Sequence, residues 1–332
     1  MPQNRLRRVA LALIALLLTS CGSLDSSASP AKPSGAATIA PPTASRAATP
    51  TPTPRRPSPS LSPSPSPGLA ERPFTVLLLG ADHQGRTDAV MVVGVDIASH
   101  TLSLASIPRD TINVPLPGGG TFTNQKINAF YSHAAAHPAT YPQGAARATV
   151  DMVGGMLGIE IAYYARTTFG GFSALTQAMG GVSINLPKAV VDPTYQITTS
   201  QIGVSFPKGP QTLNGKRALI FVRTRGGDND FERQRRQQTF LIAAGRQLIA
   251  KPELLASLIA AQGNLQTDFP LDEIPNLLAA IGLDDTWTIS RTVLGPTKYA
   301  ASASCACGYA LAPKLDEMRK LALIYFPWAT VP

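Results

Sequence analysis

Cysteine and histidine are scarce: the 332 residues hold three of the first and four of the second. None has the spacing of a metal centre. Cys305 and Cys307 stand one residue apart with no further ligand types beside them, which leaves a small local disulfide or two inert thiols and excludes a zinc site or a catalytic thiol. His83, alone in a loop, is expected to be solvent-exposed. Carboxylates are in deficit, 20 against 29 lysines and arginines, so the net charge is +9. That balance points to a polyanionic partner: nucleic acid, anionic lipid or a phosphate-bearing polymer. The N-terminal apolar run, Val9 to Leu18, falls short of the roughly twenty residues that span a bilayer.

That run does have a signal-peptide setting. Arg5, Arg7 and Arg8 precede it, and Leu18-Thr19-Ser20-Cys21 follows, similar to a bacterial lipobox, in which the cysteine carries lipid and becomes the mature N-terminus. Residues 1–21 are read as a signal peptide with lipidation at Cys21, and the rest as extracytoplasmic and held at the membrane; an N-terminal helical anchor is the alternative. Export also argues against nucleic acid as the partner. With Cys21 lipidated, Cys305 and Cys307 remain as an even pair in an oxidising compartment. From 22 to 71, Pro, Ser, Thr and Ala dominate, with Ser-Pro repeated from Ser58 to Pro67. Such a segment has too little apolar surface to fold and reads as a stiff tether. At about 3 Å per residue in polyproline II form it reaches about 100 Å or more, a distance suited to the cell wall.

The folded region starts near Arg72. Phe74 to Leu79, Ala89 to Ile97 and Thr101 to Ile107 read as apolar strands. Helices are predicted from Lys126 through Ala136 and from Gly144 to Leu157, a strand from Ile161 to Arg166, a helix from Phe172 to Met179 closed by Gly180-Gly181, and a strand from Val182 to Leu186. Pro252 to Ala261 and Leu271 to Ile281 read as helical, Trp287 to Val293 as a strand and Lys314 to Tyr325 as a closing helix. The alternation predicts the α/β class: an α/β/α layered sandwich with a central mixed sheet flanked by helices, residues 251–332 completing the domain formed by 72–250.

Arg223 to Gln238 packs five arginines into sixteen residues. The apolar run Ala218 to Val222 reads as a strand carrying Arg223 and Arg225 on one face. Gly226-Gly227 turns the chain, and Asp230 is the expected N-cap of a helix reaching about Ile249. On that helix Arg233, Arg236 and Gln237 share a face while Arg235 points elsewhere. Arg217 and Arg235 are expected to be surface charges. Asp82, Arg86, Asp88, Arg109, Asp110 and Lys126 gather at strand ends, where a layered α/β domain places its site. Two acids among several arginines can hold a divalent cation bridged to phosphates, and hard oxygen ligands suit Mg2+.

These residues also fall into successive motifs: Gly80-Ala81-Asp82, Gly85-Arg86-Thr87-Asp88, Ser106-Ile107-Pro108-Arg109-Asp110, Lys126-Ile127-Asn128, Gly180-Gly181-Val182, Leu213-Asn214-Gly215, Arg223-x-Arg225 and Asp230-Phe231-x-Arg233-x-x-Arg236-Gln237-Gln238. In order and spacing they resemble the LytR-CpsA-Psr family over about Arg72 to Arg246. The resemblance implies a Mg2+-dependent phosphotransferase that moves a glycopolymer from a polyprenyl-pyrophosphate carrier onto peptidoglycan and cleaves the pyrophosphate. It assigns Asp82 and Asp88 to the metal, and Arg86, Arg109, Lys126, Arg223, Arg225, Arg233 and Gln237 to the pyrophosphate. Asp88, Arg86 and Arg109 become the catalytic set. The lipid tail is expected in an apolar channel, with Phe130, Phe169, Phe172 and Phe221 as candidate lining. The alternative is an anchored, non-catalytic binder of polyprenyl phosphate or anionic wall polymer; the acid pair argues against it, since carboxylates repel phosphate unless a cation intervenes.

Overall fold

The run Phe74–Ala81 (β1) is apolar at nearly every position, so as a strand it needs a hydrophobic layer on both faces. It has them: Val76 and Leu78 join one buried cluster, Leu77 and Leu79 the other. The computed structural model describes residues 68–226, 229–281 and 287–331. After β1 come strands Thr87–Asp96 (β2), Thr101–Ser106 (β3), Ile112–Pro115 (β4) and Thr121–Lys126 (β5), then helices Phe130–Ala136 (α1) and Ala145–Leu157 (α2). Tyr163–Thr168 (β6) leads into Phe169–Ala178 (α3). Four short strands follow, Val182–Leu186 (β7), Val190–Gln196 (β8), Ile202–Phe206 (β9) and Gly209–Leu213 (β10). Gly215–Arg223 (α4), Asp230–Ala250 (α5), Leu254–Ala260 (α6), Leu265–Thr267 (β11), Ile274–Ile281 (α7), Thr288–Val293 (β12), Ala300–Cys305 (β13), Gly308–Pro313 (β14) and Leu315–Tyr325 (α8) complete the order.

Six strands form the central sheet in the order β11-β6-β1-β2-β3-β12. It is mixed: β1 runs antiparallel to β2 and parallel to β6, and β12 runs parallel to β3. Both edges come from the C-terminal segment, β11 beside β6 and β12 beside β3. One face is covered by α3, α4, α5 and α7, the other by α1, α2 and α8. The architecture is the α/β/α sandwich expected from the alternation of elements. Ordered packing begins at Leu69, 2% exposed and ahead of Arg72.

The clearest departure is at Ala218 to Val222, which is helical. Asn214 caps α4, its side chain accepting the Arg217 N–H, and the buried positions Ala218, Phe221 and Val222 follow a helical period. A capped start outweighs five apolar residues in a row. Asn229 rather than Asp230 caps α5; its side chain accepts from the N–H groups of Phe231 and Glu232, and Asp230 opens the first turn. Hairpin β8–β9, the pair β4–β5, strand β10 beside the predicted β7, and hairpin β13–β14 escaped the sequence reading because each is short and half-exposed. Cys305 and Cys307 form the local disulfide, at the β13–β14 turn. The signal peptide, Cys21, most of the tether and Gly227 lie outside the described residues. Among the described residues no helix is long and apolar enough to cross a membrane.

Candidate active site

A cavity of about 550 Å3 lies between the sheet and the helices on the α3–α5 side. Its depth is apolar: Leu78 and Met91 from the sheet, Phe172 and Leu175 from α3, Phe240 and Leu241 from α5. Its mouth is charged, lined by Asp88, Arg109, Arg223, Arg225, Arg233 and Gln237. Helical spacing explains how α5 serves both parts, since Arg233, Gln237, Phe240 and Leu241 recur on one stripe. Thr168 caps α3 by accepting the Gly171 N–H, which sets Phe169 at the rim.

At the mouth three guanidinium groups converge. Asp230 Oδ1 lies 2.9 Å from Arg233 Nη2, 3.7 Å from Arg109 Nε and 3.8 Å from Arg225 Nη1. Arg109 Nη1 donates to Asp88 Oδ1 at 2.6 Å, and Arg233 Nη2 donates to the main-chain carbonyl of Asp88 at 3.2 Å. Arg233 is only 3% exposed. Burial lowers its pKa to about 10, against the pull of Asp230 and with a further push from Arg109, so it stays charged at neutral pH. Burial works the same way on Arg109, but the Asp88 hydrogen bond and the charges of Asp88, Asp230 and Asp110 outweigh it and hold its pKa above the ordinary value. The Nε atoms of both arginines are buried without a hydrogen-bond partner among the described residues. Such orphan donors cost about 1–3 kcal/mol each, a deficit that an anion at the mouth would relieve. Arg223 stacks on Phe169, 4.2 Å from guanidinium carbon to ring centre, and so stands where charged mouth meets apolar depth.

Asp192, at the start of β8, was not singled out in the sequence. It is 3% exposed and lines the cavity. Oδ2 accepts from Thr224 Oγ1, from the Arg225 N–H at 3.1 Å and from the Gly226 N–H at 2.6 Å, while Oδ1 accepts from the N–H and hydroxyl of Thr194. Burial would raise its pKa; the Thr224 hydroxyl, the Gly226 N–H and the remaining donors drive it well below the carboxylate range instead. A Cβ on Gly226 would lie 1.8 Å from Asp192 Oδ1, so only glycine fits there. The sequence signal was faint, one aspartate in a Val-Val-Asp-Pro strand thirty-odd residues from its partners. Asp230 was seen, but as a cap rather than as the carboxylate on which the arginines converge.

Three expected ligands stand off the cavity. Asp82 is 4% exposed; its Oδ1 accepts from the N–H groups of Gln84 and Arg86 and its Oδ2 from Arg86 Nε at 2.8 Å. Burial opposes ionisation, yet the Arg86 side chain and these N–H groups leave its pKa lowered. Asp82 and Arg86 thus close the turn that Gly85 makes at φ +77. Lys126 bonds Asp110 at 2.6 Å, and Asp110 lies 3.9 Å from Arg109 Nε, so both stand behind the mouth and orient Arg109. Arg236 parts from Arg233 and Gln237: it is buried and donates to the Thr224 carbonyl. Arg235 pairs with Glu232 at the surface as expected, whereas Arg217 is half-buried against the Phe206 ring. Phe169 and Phe172 line the cavity; Phe130 and Phe221 are fully buried core. His83 is exposed.

For a cation the donor set is sparse. Among the described residues no group of three or more His, Cys, Asp or Glu could hold one. One carboxylate at the mouth, Asp88, fits a magnesium ion whose other ligands are phosphate oxygens and water.

The LytR_cpsA_psr family model matches residues 42–305. The chain belongs to the LytR-CpsA-Psr family. Over 223 residues it is 32% identical to the polyisoprenyl-teichoic acid–peptidoglycan teichoic acid transferase TagV of Bacillus subtilis (strain 168), the match covering 62% of this chain. This LytR-CpsA-Psr chain spans only 52% of the length of that relative. The crystal structure of B. subtilis TagV superposes with a TM-score of 0.61 at 27% identity, covering 79% of this chain and 99% of that one. A structure of TagT bound to LIIa-WTA aligns with a TM-score of 0.56 at 25% identity, covering 76% and 89% of the two chains.

Proposed function

We propose that the protein is an extracytoplasmic phosphotransferase, lipid-anchored through Cys21, that moves a glycopolymer from a polyprenyl-pyrophosphate carrier onto peptidoglycan. The observation that carries this is the convergence of Arg109, Arg225 and Arg233 within 4 Å of one carboxylate oxygen at the mouth of an apolar cavity. Charged head and apolar tail of a polyprenyl pyrophosphate match that sequence of surfaces. TagV, a relative, is named as a teichoic acid transferase to peptidoglycan.

In this reading a sugar hydroxyl of the acceptor attacks the phosphorus next to the glycan. An O–P bond forms to the acceptor as its hydroxyl proton passes to solvent, the P–O bond to the lipid phosphate breaks, and polyprenyl phosphate leaves. Arg109 and Arg233, already desolvated, offset charge on the transferring group; Arg223 and Arg225 take the leaving phosphate, and Gln237 donates at the rim. Asp88 is salt-bridged to Arg109, so its main task is to hold Arg109, and it would also hold a magnesium ion. The chemistry expected of that ion is charge neutralisation between the phosphates. Arg86, whose side chain is 53% exposed, holds Asp82 by a bond worth no more than about 1 kcal/mol after solvent screening. In this reading it turns to a phosphate, while Asp82 keeps its bonds to the Gln84 and Arg86 N–H groups. The test is release of polyprenyl phosphate from a pyrophosphate-linked donor. Asp88→Ala and Arg109→Ala each reduce it about 100- to 1000-fold while circular dichroism stays native. Unchanged turnover in both would leave only the binder.

A further inference from the structure

The end of α4 and the irregular backbone that follows it, Val222 to Gly226, carry two mouth arginines: Arg223 is the last residue of the helix and Arg225 lies two residues on. A guanidinium is only as well placed as the main chain that carries it, and a displacement of about 1 Å is enough to cost about a hundredfold in rate. This segment is clamped on both sides. Its carbonyls are tied to α5: Gln237 Nε2 donates to Val222 O at 3.2 Å, and Arg236 donates to Thr224 O. Its amides are tied to Asp192, one oxygen of which gathers the Thr224 hydroxyl and the N–H groups of Arg225 and Gly226.

We infer that Asp192 is a positioning residue, which fixes the backbone of Arg225 and so the arginine wall that receives the leaving phosphate. A carboxylate is an unwelcome group beside a phosphate site, because it repels the ligand. No neutral side chain does its work: an asparagine has one acceptor oxygen, and its NH2 would face the donors that now converge on the carboxylate. The other oxygen accepts from Thr194, two residues on in the same strand β8, whose Thr194 and Tyr195 also line the cavity. One buried anion therefore joins the arginine wall to β8. Arg223 Nη1 reaches the Tyr195 hydroxyl at 3.5 Å, a second link across the same seam.

This inference rests on the phosphotransferase reading, and two measurements on the full chain separate them: donor turnover, and calorimetric binding of inorganic pyrophosphate, which needs no turnover. Asp192→Asn is expected to weaken pyrophosphate binding about tenfold and to lower kcat/KM for the donor by about 10- to 100-fold, with most of the loss in kcat. Because Asp192→Asn can unfold the chain, Thr224→Val is the second variant; it keeps the shape of threonine and removes one donor to Asp192. It is expected to weaken pyrophosphate binding about threefold to tenfold, and Thr224→Ser to restore wild-type values. A lowered Tm with pyrophosphate affinity, KM and kcat within twofold of wild type, in whichever variants fold, would overturn the positioning role. Weakened pyrophosphate binding in a chain that never turns over the donor would retain Asp192 as a positioning residue and remove the transferase reading.

Discussion

Two carboxylate–guanidinium pairs have their aspartates six residues apart, Asp82 just after β1 and Asp88 at the start of β2, and they differ in what they are free to do. Asp82 is buried under its own turn and holds an Arg86 that is half in solvent. Asp88 and Arg109 are both partly covered, both line the cavity, and are backed by Asp110 and Lys126. In the first pair the hydrogen bonds run back to the local turn, so its task is to shape the loop. In the second the bonds run between elements, from β2 to the segment after β3 and across to α5, so its task is to assemble a site. A motif aspartate is not functional in the same sense at both positions.

The largest effect should come from breaking the second pair. Arg109→Lys keeps the charge but loses the planar fork that spans Asp88 and the phosphate, and donor turnover is expected to fall about 100-fold or more. Blocking the cavity comes next. Leu175→Trp fills the apolar depth and should raise KM for a lipid-linked donor about tenfold while leaving inorganic pyrophosphate binding unchanged, measured by calorimetry. Arg86→Ala, in the first pair, should reduce turnover only about threefold to tenfold and cost less than about 1 kcal/mol in urea unfolding, since its bond to Asp82 is screened.

The smallest effect is on stability against pH, and its sign follows from the two buried carboxylates. Asp82 and Asp192 both have folded-state pKa values below the ordinary carboxylate value of 3.8. Groups depressed in this way contribute stability that is complete above the unfolded pKa and is lost as pH falls through the folded one. The protein should therefore hold its Tm from neutral pH to about pH 4 and lose it below, and Asp192→Asn should flatten that acid limb more than Asp82→Asn does.

The layered fold was legible because the long runs are periodic: β1 to β3, α2, α5 and α8 carry enough buried positions to declare their type. The cationic half of the site was legible from the spacing of Arg223, Arg225, Arg233 and Gln237, even though Arg223 ends a helix and not a strand. What stayed hidden was long-range. Nothing local to Asp192 announces that it bonds a turn thirty-odd residues on, and Asp230 looks like a cap until three arginines from separate elements are seen around it. Lys126 was assigned to the phosphate by its motif, and its 2.6 Å pairing with Asp110 is a contact that no spacing announces. Short half-exposed hairpins such as β8–β9 have no periodic signal to read.

In the proposed function one site joins an arginine mouth to an apolar bed for a polyprenyl chain. The most direct measurement is calorimetric affinity for a series of polyprenyl pyrophosphates of increasing chain length, with inorganic pyrophosphate as the zero point. The account predicts that affinity rises by at least about tenfold per added isoprene until the cavity of about 550 Å3 is filled, then levels off, since each buried CH2 contributes about 0.8 kcal/mol before ordering costs. Equal affinity for inorganic pyrophosphate and the longest chain would contradict it.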